Sequence, residues 1–371
     1  MKLIMMYALP LLIIGAMIFG SYYTARRLAW AFGFSPTITL IVVIAILLVS
    51  MVSMMGIMRG NYTSLFSHIL SNTSNIILGV AMFLICILFV VDLVHLFAKF
   101  QPLTFGLITV GLTLVITLFS LWNAQYTRVV KQEITLNNLQ ENLRIAQLTD
   151  IHLGHYWDKN KVKKLVDIIK TQDVDLVVIT GDMFDGRIRL NSDVVAPFKE
   201  LDMPIYFIEG NHDGYSGSRD IKNLLIKNDI VVLSNELVEY KGLQIVGLDY
   251  LLPDIESVDQ FHAPPSNLTI KEVLPSLGID KNRASIMLHH NPVGANYASK
   301  NGINLYLAGH THAGQLFPAT LVASMMFKYN KGLYKYDDTL QIYVSQGTGT
   351  FGPPMRLGTK SELTIIDLKS L

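Results

Sequence analysis

Acidic, amide and imidazole side chains recur along the second half of the chain, each time directly after a short apolar run. The five elements are Asp150-Ile151-His152, Gly181-Asp182-Met183-Phe184-Asp185, Gly210-Asn211-His212-Asp213, His289-His290-Asn291-Pro292 and Gly309-His310-Thr311-His312. In open α/β sheets, ligands bind at the carboxyl ends of the strands, so these side chains are predicted to meet at one edge. Carboxylates, an amide and imidazoles, with no thiolate among them, suit divalent Mn, Fe, Zn, Co or Ni.

The spacing inside two of the elements supports this prediction. Asp150 and His152 are two residues apart, as are His310 and His312. Alternate residues of an extended segment point the same way, so each pair offers two ligands to one point. A single Asp-x-His pair is more often a capping acid beside a surface histidine, and a single Gly-His-x-His element is ambiguous. Five elements in succession, each closing an apolar run, favour a metal site.

The elements that must position these side chains read as an α/β domain from residue 143 onward. Its predicted strands are Arg144 to Leu148, Leu176 to Thr180, Ile205 to Ile208, Leu243 to Leu248, Ala284 to Leu288, Ile303 to Ala308, Gln341 to Ser345 and Leu363 to Leu368. Between the first two strands, Lys161 to Thr171 carries apolar residues on one helical face. Strand, helix and strand at this spacing predict a βαβ unit with parallel strands.

The first third of the chain has a different composition. Asp92 is its sole acid before Ala124, against five bases, although the whole chain has a net charge of only +1. Four apolar stretches, at about Leu3 to Tyr23, Thr37 to Met58, Ser74 to Ala98 and Thr104 to Trp122, are each long enough to cross a bilayer as a helix. The sequence therefore predicts an all-α four-helix transmembrane domain.

Two other interpretations of these stretches stay open. Four buried core helices would give the same composition, and the first stretch, preceded by Lys2, also resembles a signal peptide. Asp92 and His95 are ionisable groups near the end of the third stretch, where such residues are either functional or hydrated at the interface. We favour spans for the stretches and hydration for the two side chains.

These observations predict a transmembrane domain at residues 1–123, a polar linker at 124–142 and a hydrolytic domain at 143–371. An even number of spans puts both termini on one side of the membrane. With a cytoplasmic N-terminus, Lys2, Arg59, Arg128 and Lys131 lie inside, against Arg26, Arg27 and Lys99 outside. This gives a slight preference for a cytoplasmic catalytic domain.

Composition also excludes some classes of protein. Cys86 is the single cysteine, which excludes a disulfide framework and a cysteine-rich metal site. The sequence has no basic stripe with interleaved aromatic residues, so we expect no nucleic-acid partner. The bilayer is the expected macroscopic partner, while the oligomeric state is left open.

The order of the five elements resembles the calcineurin-like metallophosphoesterase superfamily from about Arg144 to the C-terminus. The segment from Gly347-Thr348-Gly349 through Gly358, followed by Glu362, is similar to a subgroup of membrane-associated members in the bacterial cell membrane. The resemblance implies a central β-sandwich flanked by helices, and two bound divalent metal ions.

Residue by residue, the resemblance implies that Asp150, His152 and His312 hold the first ion. Asn211, His310 and one of the paired histidines, His290 in preference to His289, would hold the second, and Asp182 would bridge both. His212 matches the family's catalytic histidine, which does not bind metal, with Asp213 as its orienting partner. Asp185 is expected to be structural, capping its loop and supporting the metal ligands from behind. His155 and Arg356 are candidate contacts for a substrate phosphate, with a structural or surface role equally open.

Two cations about 3.5–4 Å apart make hydroxide available near neutral pH and screen the phosphoryl oxygens during attack. The leading hypothesis is therefore a membrane-anchored binuclear phosphohydrolase, acting as a phosphodiesterase, phosphatase or pyrophosphatase. Its substrate would be a phosphate-containing small molecule or a membrane-associated, lipid-linked phosphate.

The main alternative is a non-catalytic metal-binding scaffold or sensor coupled to a membrane domain. Degenerate members of this kind are expected to lose ligands or the catalytic histidine, and here every position is filled. A transporter with a regulatory hydrolase is a third reading, which the scarcity of intramembrane polar groups disfavours.

Overall fold

The computed structural model describes residues 2–59, 65–154, 156–185, 192–215, 217–257 and 267–371. The described chain divides into two compact units. The first contains the chain up to Trp122 together with Gly352–Met355, and the second contains Asn123–Phe351 and Arg356–Leu371.

The N-terminal part of the chain is helical. Its helices are α1 (Lys2–Phe32), α2 (Pro36–Arg59), α3 (Leu65–Ala98) and α4 (Pro102–Gln125). Among the described residues, two helical segments are long and apolar enough to cross a membrane, Ile69–Ala98 within α3 and Pro102–Gln125. Within α2, the segment Pro36–Val49 is apolar, but it has fewer residues than a span needs. The structure therefore supports two of the four predicted spans, and the other two stay predictions.

Asp92, the acid of this unit, has partners on a neighbouring helix. Tyr23 and Arg27 of α1 both donate hydrogen bonds to Asp92 of α3. The guanidinium of Arg27 also stacks on Trp30, 4.6 Å from its ring centre. These contacts give Asp92 a role in joining α1 to α3.

The second unit contains short strands and short helices in alternation. Its strands are β1 (Thr127–Leu136), β2 (Leu143–Leu148), β3 (Leu176–Thr180), β4 (Ile205–Ile208), β5 (Val231–Val232), β6 (Glu236–Tyr240), β7 (Leu243–Gly247), β8 (Ser285–Leu288), β9 (Leu305–Ala308), β10 (Gly332–Lys335), β11 (Gln341–Val344) and β12 (Ser361–Ser370). Its helices are α5 (Lys159–Lys170), α6 (Asn211–Tyr215), α7 (Ser218–Ile226), α8 (Ile270–Val273), α9 (Ala295–Lys300) and α10 (Ala319–Met326).

The strands form two mixed sheets of six strands each within the described residues. The first has the order β1-β12-β2-β3-β4-β5, and β2, β3, β4 and β5 run parallel. The second has the order β10-β11-β9-β8-β7-β6, and β7, β8, β9 and β11 run parallel. Every residue of β3 is buried, as expected for a parallel strand covered on both faces.

Three apolar clusters hold the layers together. One packs α5 and α7 against the first sheet, one lies between the two sheets, and one packs α8 and α9 against the second sheet. The start of α5 is fixed by Asp158, whose side chain accepts from the backbone N–H of Asn160 at 2.9 Å. The α/β fold and the β-sandwich flanked by helices predicted from the sequence are confirmed.

The predicted linker at 124–142 requires a correction. Its residues 127–136 form β1, which pairs in parallel with β12 at the edge of the first sheet. Ile134 and Leu136 are buried in the cluster between the sheets, although the segment looks polar overall. An edge strand buries few of its side chains, so its composition does not distinguish it from a linker.

Candidate metal centre

The predicted polar elements lie where β2, β3, β4, β8 and β9 end. The two sheets are joined near this edge by Gln147, whose amide donates to Thr180 Oγ1 at 3.0 Å and to the Ala308 carbonyl at 3.1 Å. The Asp150 N–H donates to the Gly181 carbonyl at 3.0 Å, linking the ends of β2 and β3. Strand ends from both sheets therefore face one common region.

Several candidate ligands have a strained backbone conformation. Asp150, His152, Asp182, His310 and His312 have φ values of 52°, 51°, 50°, 71° and 47°. Non-glycine residues in this left-handed region cost about 1–3 kcal/mol each and cluster at functional sites. The turns after β2, β3 and β9 thus aim side chains in directions that an extended strand would not give them.

The first cluster contains Asp150, His152 and His312, all buried. His312 Nε2 lies 3.2 Å from Asp150 Oδ1 and 3.1 Å from His152 Nε2. His152 Nε2 lies 4.0 Å from Asp150 Oδ1. Three donors held about 2.1 Å from one cation and roughly 90–110° apart would lie about 3.0–3.5 Å from each other. Two of these three distances fall in that range, so the donor set fits one ion.

The second cluster contains Asp182, His290 and His310, with Asn211 beside it. His290 Nε2 lies 3.1 Å from Asp182 Oδ2, and His310 Nδ1 lies 3.0 Å from Asn211 Oδ1. The same Asp182 oxygen is 3.9 Å from His152 Nε2 of the first cluster. Asp182 therefore faces both clusters, as a carboxylate shared between two ions must.

Electrostatics keep these groups ready to bind cations. Burial alone would raise the pKa of Asp182, but the charge of neighbouring His290 lowers it well below its usual range. Burial would likewise lower the pKa of His290, but Asp182 and Asp150 outweigh it and raise the pKa to about 10. His290 would therefore give up a proton when a metal ion binds. Burial lowers the pKa of His312 to about 4, so its ring is neutral at pH 7.

Glycine is required beside the second cluster. Gly181 has a φ of +85°, and a Cβ atom added there would lie 2.6 Å from His290 Nδ1 and 2.9 Å from the Gly210 Cα. Any side chain at this position would displace either the ring of His290 or the chain that leads to Asn211.

The comparisons with known proteins agree with this geometry. Residues 143–314 match the family model described as calcineurin-like phosphoesterase. An uncharacterized metallophosphoesterase of Campylobacter jejuni is 31% identical over 72% of this chain and 70% of its own length. The chain belongs to the calcineurin-like phosphoesterase family. This confirms the family resemblance drawn from the five elements, and with it the assignment to the metal-dependent phosphoester hydrolases.

Other similar proteins differ in how much of this chain they match and in how much of their own length is matched. A transmembrane protein with metallophosphoesterase domain from Danio rerio is 30% identical over 85% of this chain and 78% of its own length. A metallophosphoesterase of Helicobacter pylori is 33% identical over 65% of this chain, which spans 64% of that relative's length. A dimetal phosphatase structure from Danio rerio covers 56% of this chain and 89% of its own, with 13% identity and a TM-score of 0.38.

The paired histidines of this phosphoesterase differ in their surroundings. His289 uses both ring nitrogens on structural partners: Nδ1 lies 2.7 Å from the Asn291 carbonyl oxygen, and Nε2 accepts from the Leu251 N–H at 3.2 Å. The ring of His290 instead presents Nε2 to Asp182 and uses Nδ1 on the Thr180 carbonyl at 2.7 Å. This geometry favours the choice of His290, whose metal role stays a prediction.

The predicted partner of His212 requires a correction. Both oxygens of Asp213 accept backbone N–H groups, from Phe184 and from Gly210, each at 3.0 Å. Asp213 therefore shapes the two loops. The carboxylate near the ring of His212 is that of Asp185, for which the sequence predicted a structural role in capping its loop and supporting the metal ligands.

The structure describes one of the two candidate substrate contacts, Arg356. Arg356 is fully buried, and its guanidinium donates to the carbonyls of Gln346, Gly347 and Gly349. A side chain enclosed in this way holds its loop and cannot reach a substrate. His155 lies outside the described residues.

The sequence reasoning also missed Phe351. Its ring, which is 45% exposed, lies 4.9 Å from the ring of His312 and 6.1 Å from that of His152. The signal was its place in the segment that follows Gly347-Thr348-Gly349, which suggested a subgroup but no contact. Phe351 is an apolar wall at the open side of the first cluster.

Proposed function

We propose that the chain is a membrane-anchored, binuclear metal-dependent phosphohydrolase that acts as a phosphodiesterase, phosphatase or pyrophosphatase. The observation that carries this proposal is the pair of donor clusters that share Asp182. Asp150, His152 and His312 would hold one ion, and His290, His310 and Asn211 the other. Mn, Fe, Zn, Co and Ni all suit this mixture of oxygen and imidazole donors.

When bound, the two ions would lower the pKa of a water molecule and neutralise charge on the phosphoryl oxygens. The protein would keep that pair of ions in place and supply a proton. The side chain of His212 is 25% exposed and its ring centre lies 4.8 Å from that of His152, so it borders the first cluster and is open to solvent. A histidine in that position can protonate the oxygen that leaves phosphorus.

The anchor is proposed to have four spans. Two helices meet the length and apolarity of a span, and relatives from cattle and zebrafish are named transmembrane proteins. A cytoplasmic second unit is favoured by the lysine and arginine count given above, and a bacterial cell membrane by the subgroup resemblance. A reporter that is active on only one side of the membrane, fused to the C-terminus, would test the orientation.

The test of the catalytic proposal uses the full chain purified in lipid nanodiscs. Metal content is measured by mass spectrometry, and turnover is measured with p-nitrophenyl phosphate, its bis-ester and pyrophosphate, with each metal added in turn. We expect about two ions per chain and turnover of at least one substrate. The Asp182→Asn variant should bind less metal, and its turnover should fall by about a hundredfold or more.

Asp167→Asn is the matched control, because Asp167 is an exposed carboxylate on α5 paired with Lys163. It should keep the metal content and turnover of the unaltered chain. Full metal occupancy without turnover of any substrate would instead favour the scaffold or sensor. A chain that binds no divalent metal would refute both.

A further inference from the structure

Helix α10 presents an unusual surface to solvent. Five large apolar side chains on it or just before it are 47–81% exposed, and together they form the α10 apolar surface. They are Phe317, Leu321, Val322, Met325 and Met326. Leu321 and Met325 are four residues apart, as are Val322 and Met326, so they lie in adjacent rows on the helix. Contiguous exposed apolar patches on soluble domains mark sites of interaction.

Helix α10 is fixed to the rest of its unit by contacts on its other side, and its exposed surface offers few polar groups. Ala323 is buried on the opposite side of α10, and the Phe317 N–H donates to the Leu357 carbonyl at 2.9 Å. The hydroxyl of Ser324, which also faces outward, donates to the Leu321 carbonyl at 2.7 Å. With its hydroxyl satisfied inside the helix, Ser324 does not make the surface polar.

The α10 apolar surface lies at the rim of the candidate metal centre. The ring of Phe327, directly after α10, packs edge-on against His310 with 5.9 Å between ring centres. Met326 and Phe327 also line a cavity of about 460 Å³ together with Val293, Tyr329 and Tyr336. This volume is in the range of small-molecule sites. An acyl chain bound in the cavity would thus be separated from His310, a candidate metal-binding residue, only by the side chain of Phe327.

The chain segment that carries the surface has charges of one sign. No aspartate or glutamate occurs from Ala313 to Tyr336, while Lys328 and Lys331 follow α10. Both lysines are exposed, and Lys328 lines the cavity. An apolar helix flanked by exposed lysines matches the interface of a bilayer that contains anionic lipids.

Hydrogen bonds within the second unit connect α10 to the start of that unit. Asn123 donates to the carbonyls of Arg356 and Thr359, at 2.9 and 3.0 Å. Thr359 in turn donates to the Gln315 carbonyl at 2.7 Å, four residues before α10. Asn123 lies two residues before the end of the candidate span Pro102–Gln125, which the bilayer must adjoin. We therefore take lipid as the partner that covers the α10 apolar surface.

We propose that the α10 apolar surface inserts into the surface of the lipid bilayer, and that the adjoining cavity admits the apolar part of a lipid-borne phosphate ester. The second half of this proposal rests on the proposed hydrolase function. Insertion would bring the ester from the bilayer to the His290 and His310 side of the metal centre without exposing its acyl chains to water, and such exposure is unfavourable.

Insertion is tested on the full chain in nanodiscs of phosphatidylethanolamine and phosphatidylglycerol. Cys86→Ala removes the single cysteine, and Met325→Cys then carries an environment-sensitive nitrobenzoxadiazole label. Ile226→Cys is the matched control, because Ile226 is an apolar residue of α7 that is 59% exposed. Bromine-labelled lipids report contact with acyl chains, and iodide reports contact with water.

We expect brominated lipid to quench the label at position 325 and not at 226, with the reverse order for iodide. Equal iodide quenching at both positions would overturn the proposal. The proposal would also be overturned if quenching at position 325 depended on the protein-to-lipid ratio and not on bromine. A second copy of the chain would then cover the surface.

The substrate class is tested by turnover of phosphatidic acid in the same nanodiscs relative to p-nitrophenyl phosphate. The double variant Leu321→Gln, Met325→Gln should lower this ratio about tenfold, which corresponds to roughly 1.4 kcal/mol. An unchanged ratio would refute the lipid-borne substrate. Quenching as expected without turnover of phosphatidic acid, p-nitrophenyl phosphate, its bis-ester or pyrophosphate would leave insertion intact and refute the hydrolase function instead.

Discussion

Asp185 Oδ1 lies 3.7 Å from Nδ1 of His212. The same oxygen lies 3.3 Å from Nδ1 of His152, so one carboxylate serves two imidazoles of different predicted roles. A carboxylate near Nδ1 favours a proton on that nitrogen and leaves Nε2 for a metal ion or a substrate. Asp185 therefore couples the orientation of a candidate ligand to that of the candidate proton donor.

The first prediction follows from this arrangement. Asp185→Asn should lower kcat roughly 10- to 100-fold and weaken binding of the first metal ion by a similar factor, as for other partners of metal-bound histidines. The measurement is kcat at saturating metal, together with a metal titration. A variant with unaltered kcat and metal affinity would return Asp185 to the capping role.

Asp213→Asn provides the contrast. Its carboxylate accepts two backbone N–H groups, and an asparagine can accept through only one oxygen. We expect a loss of about 1–3 kcal/mol in the free energy of unfolding, with a smaller effect on kcat than Asp185→Asn at saturating metal. Thermal unfolding of both variants under one condition separates the two roles.

The second prediction separates the paired histidines. His290→Ala should lower the metal content by about one ion per chain, because His290 Nε2 points at Asp182. His289→Phe should keep both ions but lower stability by about 1–3 kcal/mol, since the Leu251 N–H loses its acceptor. Mass spectrometry of the purified variants measures the ions. Loss of an ion from His289→Phe alone would reverse the assignment.

The sequence predicted correctly the features that depend on where the strands end, namely the strands themselves and the polar elements that follow them. The apolar runs before Asp150, Asp182 and His310 become β2, β3 and β9 within two residues of their predicted bounds. This works because a buried parallel strand must be continuously apolar, and the chain must turn polar where it leaves the sheet. The order of the polar elements was therefore visible without any knowledge of the packing.

The sequence failed where the deciding contact lies elsewhere in the chain. Asp213 adjoins His212 in the sequence and was therefore predicted as its partner, but the loop after β3 brings Asp185 to the ring instead. For Arg356 the sequence left a phosphate contact and a structural role equally open. Its carbonyl partners come from a turn that no local pattern predicts.

The third prediction concerns Arg356. Arg356→Met should lower the free energy of unfolding by about 3 kcal/mol or more, because several buried carbonyls lose their donor. Arg356→Lys should recover only part of this stability, since an ammonium lacks the planar fork. Thermal unfolding measures both. A raised KM at unaltered stability would restore the substrate contact that the sequence suggested.

The last prediction is a pH dependence located away from the metal centre. Lys161 is buried, with its ammonium 2.8 Å from Thr127 Oγ1 and 4.3 Å from the ring centre of Trp157. Burial, followed by the charge of Arg356, lowers its pKa to about 7. Because the folded chain then binds fewer protons than the unfolded chain between pH 7 and about 10.5, stability should rise with pH across this window.

The slope from this one group cannot exceed about 1.4 kcal/mol per pH unit. Lys161→Met keeps the alkyl chain and removes the titrating group, so its stability should lack this rise and should exceed that of the unaltered chain most at pH 7. Unfolding midpoints of both proteins from pH 7 to 10 provide the measurement. Parallel profiles would show that Lys161 is protonated throughout, with Thr127 and Trp157 compensating for its burial.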